Sequence, residues 1–276
     1  MPNIKELQAK AIAVRKELLQ TIYIGGTGHT GGALSSTDLL VGLFYYKMKH
    51  DPKNPLWDER DRFLLSKGHS VEGYYTILAD CGYFPKEELK TFSKFKSRLI
   101  GHPSTKVPGV EMNTGSLGHG LPVGVGMAIA FKMDNKDNKV YVLMGDGEQA
   151  EGSIWEAAMA ASNYKLDNIV GIVDRNHLQI SGNTEDVMKL EDFSAKWTAF
   201  GWDVQQINGN NMDEIIKAYD SVCTKNGKPH LIIANTIKGK GVSFMENVAK
   251  WHHGVPTEEQ LKVALEELDC QLKELM

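Results

Sequence analysis

Residues 140–176 read VYVLMGDGEQAEGSIWEAAMAASNYKLDNIVGIVDRN. An apolar run at 140–144 stops at Gly145-Asp146-Gly147, and a second apolar run occupies 169–173. Between them, 153–164 suits a helix. Strand, helix and strand in about 35 residues predict a right-handed βαβ crossover with parallel strands. Outward from this unit, Arg62-Phe63-Leu64-Leu65-Ser66 and 230–235 read as further short buried strands. Ile4, Leu7, Ala11, Val14, Leu18 and Ile22 recur every three or four residues, which predicts a helix stopped near Gly25-Gly26. A second helix is expected over about 36–49, and the small-residue run 124–130 suits a helix packed closely on a sheet. The last helix starts at Thr257, with Gln260 completing a capping box. Its leucines 261, 265, 268, 272 and 275 suit docking on the chain's own domain or on a partner. The expected fold class is α/β: a doubly wound, mainly parallel sheet flanked by helices, as a single domain over residues 1–276.

Composition narrows the function. The 276 residues are 42% hydrophobic and 24% charged, which excludes a disordered or fibrous chain. With 31 basic and 35 acidic residues the net charge is −4, so no basic excess marks nucleic acid as a partner. Three separated cysteines, Cys81, Cys223 and Cys270, offer no disulfide framework and point to a reducing, cytoplasmic setting. Charged residues interrupt the N-terminal apolar positions, against a signal peptide. No segment has the roughly 18 apolar residues that would cross a bilayer, so no membrane partner is expected.

Ligands of parallel α/β sheets sit beyond the carboxyl ends of the strands. Asp146 follows one such end and Asn176 the next, so a carboxylate and an amide oxygen converge there. That donor pair is too weak for a calcium cage but suits Mg²⁺, which fills its shell with ligand phosphate oxygens and water. Gly145 and Gly147 permit close backbone approach. Alone, Gly-Asp-Gly reads as a turn; the flanking strands and the spacing to Asn176 raise it to a site. Five of nine histidines (His29, His69, His102, His119 and His253) adjoin glycine. Without i, i+4 pairs or cysteine pairs they do not read as zinc ligands. Loop histidines at a sheet edge suit hydroxyl recognition and proton shuttling instead. His50, His177, His230 and His252 are expected to be structural.

The stretch Gly145-Asp146-Gly147-Glu148 through Asn176 resembles the thiamine-diphosphate motif of the transketolase family. Gly28-His29-Thr30-Gly31-Gly32, Ser66-Lys67-Gly68-His69, Gly101-His102-Pro103, Thr114-Gly115-Ser116-Leu117-Gly118 and His253-Gly254 follow in the family's order. The resemblance covers nearly the whole chain and matches the family's diphosphate-binding half. It implies that Asp146, Asn176 and the backbone carbonyl of Leu178 bind Mg²⁺, for which Ca²⁺ or Mn²⁺ can substitute. It places Gly147, His69 and His253 near the diphosphate, with Gly145 beside them. Gly115 and Leu117 would line the aminopyrimidine or thiazolium. His29, His69, His102 and His253 would surround the reactive carbon and the donor sugar, and Glu151 would link paired sites. His119 stands where the family often has glutamine.

The family builds its site between two α/β domains, and this chain would hold only the first. The resemblance therefore implies the N-terminal subunit of a split transketolase, active with a C-terminal subunit carrying the pyrimidine domain in an α2β2 heterotetramer. The expected reaction transfers a two-carbon ketol unit from a ketose, phosphorylated or otherwise anionic, to an aldose. The alternatives are another split thiamine-diphosphate enzyme, of deoxyxylulose-phosphate synthase or 2-oxoacid dehydrogenase type, and a non-catalytic cofactor-binding regulatory subunit.

Overall fold

The computed structural model describes residues 3–222 and 225–275, so Cys223 lies outside the described residues. Helices α1 (Ile4–Gly25), α2 (Thr30–Ser35) and α3 (Thr37–Gly42) precede strand β1 (Arg62–Leu65). Helix α4 (Val71–Cys81), helix α5 (Gly120–Met133), strand β2 (Val140–Gly145), helix α6 (Gly152–Asn163) and strand β3 (Ile169–Arg175) follow. A two-residue hairpin, β4 (Leu178–Gln179) with β5 (Gly182–Asn183), leads to α7 (Thr184–Val187) and α8 (Phe193–Ala199). The chain continues through β6 (Asp203–Asn208), α9 (Met212–Ser221), β7 (His230–Asn235) and α10 (Glu258–Leu275).

The sheet has five strands in the order β1-β2-β3-β7-β6, and every neighbouring pair is parallel. The apolar runs at 140–144 and 169–173 are continuous because both faces of the sheet are covered. Tyr141 and Leu143 join a core with Leu18, Leu40, Tyr75, Ile216 and Leu268. Val140, Val142 and Met144 join the opposite core with Leu121, Ala158 and Trp197. Gly124 lets α5 settle on the sheet, since a Cβ there would come within 2.8 Å of Val142.

The helix expected over 36–49 is instead α3 and a π turn at Leu43–Lys47, preceded by the separate short helix α2. The cause is local. Ser36 Oγ and Thr37 Oγ1 donate to the carbonyls of Gly32 and Ala33, both at 2.9 Å, and such back-bonding bends helices. The terminal helices pack on each other: Ala264 and Leu268 are buried, and Lys16 reaches Asp269 at 2.5 Å. The leucine stripe thus docks on the chain's own α1, and the Thr257–Gln260 capping box is present in both directions. Cys81 is half-buried and Cys270 exposed, and both are free thiols. Among the described residues no helix is long and apolar enough to cross a membrane.

Candidate active site

Register pairs Gly145 with Asp174, so β2 and β3 end side by side and release Asp146 and Asn176 at the same edge. Asp146 is buried. Its Oδ1 accepts from the Gly147 amide at 2.8 Å, and Oδ2 accepts from the His177 amide at 2.8 Å and Thr184 Oγ1 at 3.2 Å. His177 adopts φ 62°, the left-handed turn that brings its N–H onto the carboxylate. Asn176 Oδ1 accepts from the Leu178 amide at 3.2 Å, which curls the chain so that Leu178 lines the same cavity. Burial, and then the neighbouring Asp174, push the Asp146 carboxyl above its ordinary range.

The cavity has a volume of about 340 Å³. Asp146, Asn176, Leu178, Gly115, Leu117, Gly145, Gly147, His29 and His69 line it. Gly115, at φ 138°, passes so close to the His102 ring that a Cβ would lie 2.9 Å from it. Lys238 Nζ donates to the Leu178 carbonyl at 2.8 Å, so that oxygen already accommodates a positive charge. With a buried carboxylate short of counter-charge, an amide oxygen and a cation-bearing carbonyl, the donor set fits a magnesium ion completed by phosphate oxygens. Among the described residues no cluster of three or more His, Cys, Asp or Glu could hold a metal.

The histidines form a ring around His29. Its imidazole centre lies 5.0 Å from that of His69, 4.8 Å from His253, 6.4 Å from His102 and 5.7 Å from His252. Two loops are sewn together to build this ring. Thr30 Oγ1 donates to the Gly254 carbonyl at 2.6 Å, and the Gly254 amide donates to the Gly28 carbonyl at 3.2 Å. Burial first, then the positive groups nearby, lowers His29 to about 4, His252 to about 3 and His69 to about 2. These rings are neutral at neutral pH, and a neutral ring can donate at one nitrogen and accept at the other.

His252, expected to be structural, proves to belong to the site. Its Nδ1 lies 3.0 Å from Lys238 Nζ, its ring stacks on His69 at 5.2 Å, and it lines the cavity. His50 is held between Tyr83 and Phe44, away from the cavity, and His230 is buried beside Asp203. His253 and His102 stand at the rim rather than in the cavity wall, and His119 is exposed at the start of α5. Glu151 is exposed behind Gly118, at the N-cap of α6, outside the cavity lining.

Sequence reading passed over four buried charges. Lys67, 2% exposed, pairs with Asp174 and donates to the Gly32 carbonyl at 3.0 Å. Asp174 also accepts from Ser35 Oγ at 2.6 Å. Lys238 has its ammonium lowered to about 8 by burial and by Lys67. Glu148 accepts from Ser66 Oγ, from the Gly118 amide at 2.8 Å and from the Gly145 amide at 3.0 Å. A signal existed for Lys238: Lys238-Gly239-Lys240-Gly241 follows strand β7 at the ligand-bearing edge.

A family model described as transketolase, thiamine diphosphate binding domain, matches residues 7–271. An apulose-4-phosphate transketolase subunit of Phocaeicola vulgatus is 53% identical over 273 residues, spanning 99% of this chain and 97% of that protein. The 6-deoxy-6-sulfo-D-fructose transketolase subunit SqwG of Clostridium sp. (strain MSTE9) is 46% identical over 265 residues, 96% of each. The solved transketolase of Leishmania mexicana superposes with a TM-score of 0.86 at 27% identity. All of this chain takes part, but it spans only 46% of that longer one. Sheet, edge and match agree: the chain belongs to the transketolase family, as its thiamine diphosphate binding domain.

Proposed function

We propose that this chain is one subunit of a split, thiamine diphosphate-dependent transketolase, acting as a single domain with a second chain that carries the pyrimidine-binding half. The observation that carries the reading is the convergence of Asp146, Asn176 and the Leu178 carbonyl on one cavity beneath the ring of histidines around His29. Asp146, Asn176 and Leu178 would hold Mg²⁺. Gly145, Gly147 and Gly115 leave backbone free to approach the diphosphate, and the Lys67 and Lys238 ammoniums balance its charge. Thiamine diphosphate, when bound, supplies the carbanion chemistry that breaks and remakes the carbon–carbon bond of a ketose.

The chain's own groups would orient sugar and protons. His29, His69, His102 and His253 face the cavity mouth, where an imidazole can take a hydroxyl proton and return it to a carbonyl. His252 shares the task through its contact with Lys238. Glu151, at the surface beyond Gly118, would meet the partner and couple paired sites. The donor is an anionic ketose: one relative is named for a sugar phosphate and another for a sulfonated sugar. Both names fit an acid-tailed sugar whose tail is gripped by the second chain. An α2β2 assembly in the cytoplasm follows from this reading.

Mixing the chain with a candidate partner, thiamine diphosphate, Mg²⁺ and a panel of phosphorylated and sulfonated ketoses tests it. Two-carbon transfer to an aldose is the expected result. Cofactor binding by the pair without transfer from any ketose would overturn the transketolase reading.

A further inference from the structure

Glu72 lies in the first turn of helix α4 and is fully buried, yet it does not line the cavity. Its Oε1 accepts the His29 amide at 2.9 Å, and Oε2 is buried with no hydrogen-bond partner among the described residues. A buried carboxyl with one bare oxygen costs stability, and an alkyl side chain would fill the space without that cost. Burial pushes this carboxyl up to about 7. The Gly28–His29 turn is built around it: a Cβ on Gly28 would lie 2.8 Å from Oε1 and 2.7 Å from Ile22. The His29 amide starts α2, where a backbone N–H has no partner within the helix. Glu72 thus reaches from one helix to the backbone that carries the central imidazole of the ring.

We propose that Glu72 is a positioning residue, which through the His29 amide holds the Gly28–His29 turn so that the His29 imidazole stays at the centre of the histidine ring. This rests on that ring serving the transfer reaction, but the hydrogen bond itself can be judged apart from it. A carbonyl oxygen suffices for the hold, so Glu72→Gln preserves it and Glu72→Leu abolishes it.

The test follows amide hydrogen exchange at His29 in the full chain, and kcat and KM in the reconstituted pair. Glu72→Leu should speed His29 exchange by about tenfold or more, as befits a lost hydrogen bond. It should lower kcat roughly 100-fold, the scale of a misplaced reacting group, with KM and thiamine diphosphate affinity within about twofold. Glu72→Gln should restore both readouts to near those of the unsubstituted chain. If Glu72→Leu does not fold, Gly28→Ala, which must push the turn off Oε1, should give the same two losses. Unchanged His29 exchange in Glu72→Leu, or failure of Glu72→Gln to restore it, overturns the proposal. Altered exchange with unaltered kcat overturns the positioning role as well. Absence of transfer in the unsubstituted pair would count against the transketolase reading and leave the exchange result standing on its own.

Discussion

Asp146 carries two jobs that substitution can separate. Asparagine in its place keeps the shape but removes the only anion of the proposed metal site. Asp146→Asn should weaken Mg²⁺-dependent thiamine diphosphate binding at least tenfold by calorimetry, with modest loss of thermal stability. Asp146→Ala should also strand the Gly147 and His177 amides, at about 1–3 kcal/mol for each buried group left bare, visible as a lower unfolding temperature. Equal cofactor affinity in the asparagine variant would remove Asp146 from the ligand set. The histidines predict a pH dependence. His29, His69 and His252 have an ordinary value of 6.5 and folded values of about 4, 2 and 3. Below 6.5 the unfolded chain therefore binds more protons than the folded one, and stability falls as pH drops through that window. His69→Gln should flatten the acid limb of a denaturation-versus-pH series. The positions of Asp146, Asn176 and the glycine-flanked His29, His69, His102 and His253 were legible in the sequence because strand ends and loop glycines mark them, whereas the same signal at His119 marked an exposed helix start. Lys67, Glu148, Glu72 and His252 were not, because their roles come from burial and from partners that tertiary folding brings close.

At the scale of elements, the strands with unbroken apolar runs were legible, and the ones that decide the site were among them. Strand β6 was not. Asp203, Gln205, Gln206 and Asn208 leave it almost no apolar pattern, because an edge strand buries little. The helix expected over 36–49 forms only as α3 and a π turn, and the short α2 before it was not foreseen, because side-chain hydroxyls, rather than a proline or glycine stop, separate the two. Helix α10 gives a clean test of separation between stability and site. Leu268 is fully buried in the core it shares with α1 and does not line the cavity. Leu268→Ala should cost about 2–5 kcal/mol in chemical denaturation, while leaving thiamine diphosphate affinity of the still-folded protein unchanged. A parallel fall in affinity would mean that the terminal helix pair supports the site directly.

For the whole molecule, the solved Leishmania mexicana transketolase has more than half its length outside the part that this chain matches. Ile180, three-quarters exposed while lining the cavity, and Val123, Met133 and Met159 on α5 and α6 are apolar surface suited to cover by a partner. The isolated chain should bind thiamine diphosphate weakly. Addition of the partner should raise affinity about 100-fold and give a four-chain mass by light scattering. Tight binding and turnover by a lone monomer would refute the split arrangement. Glu148 adds a consequence of a different kind. One carboxylate fastens the ends of β1 and β2 and the loop before α5, so three separate stretches of the ligand edge share a single knot. Their freedom to wander is surrendered during folding, before any ligand arrives. Binding then meets a surface already in place, and little conformational entropy is left for the ligand to remove.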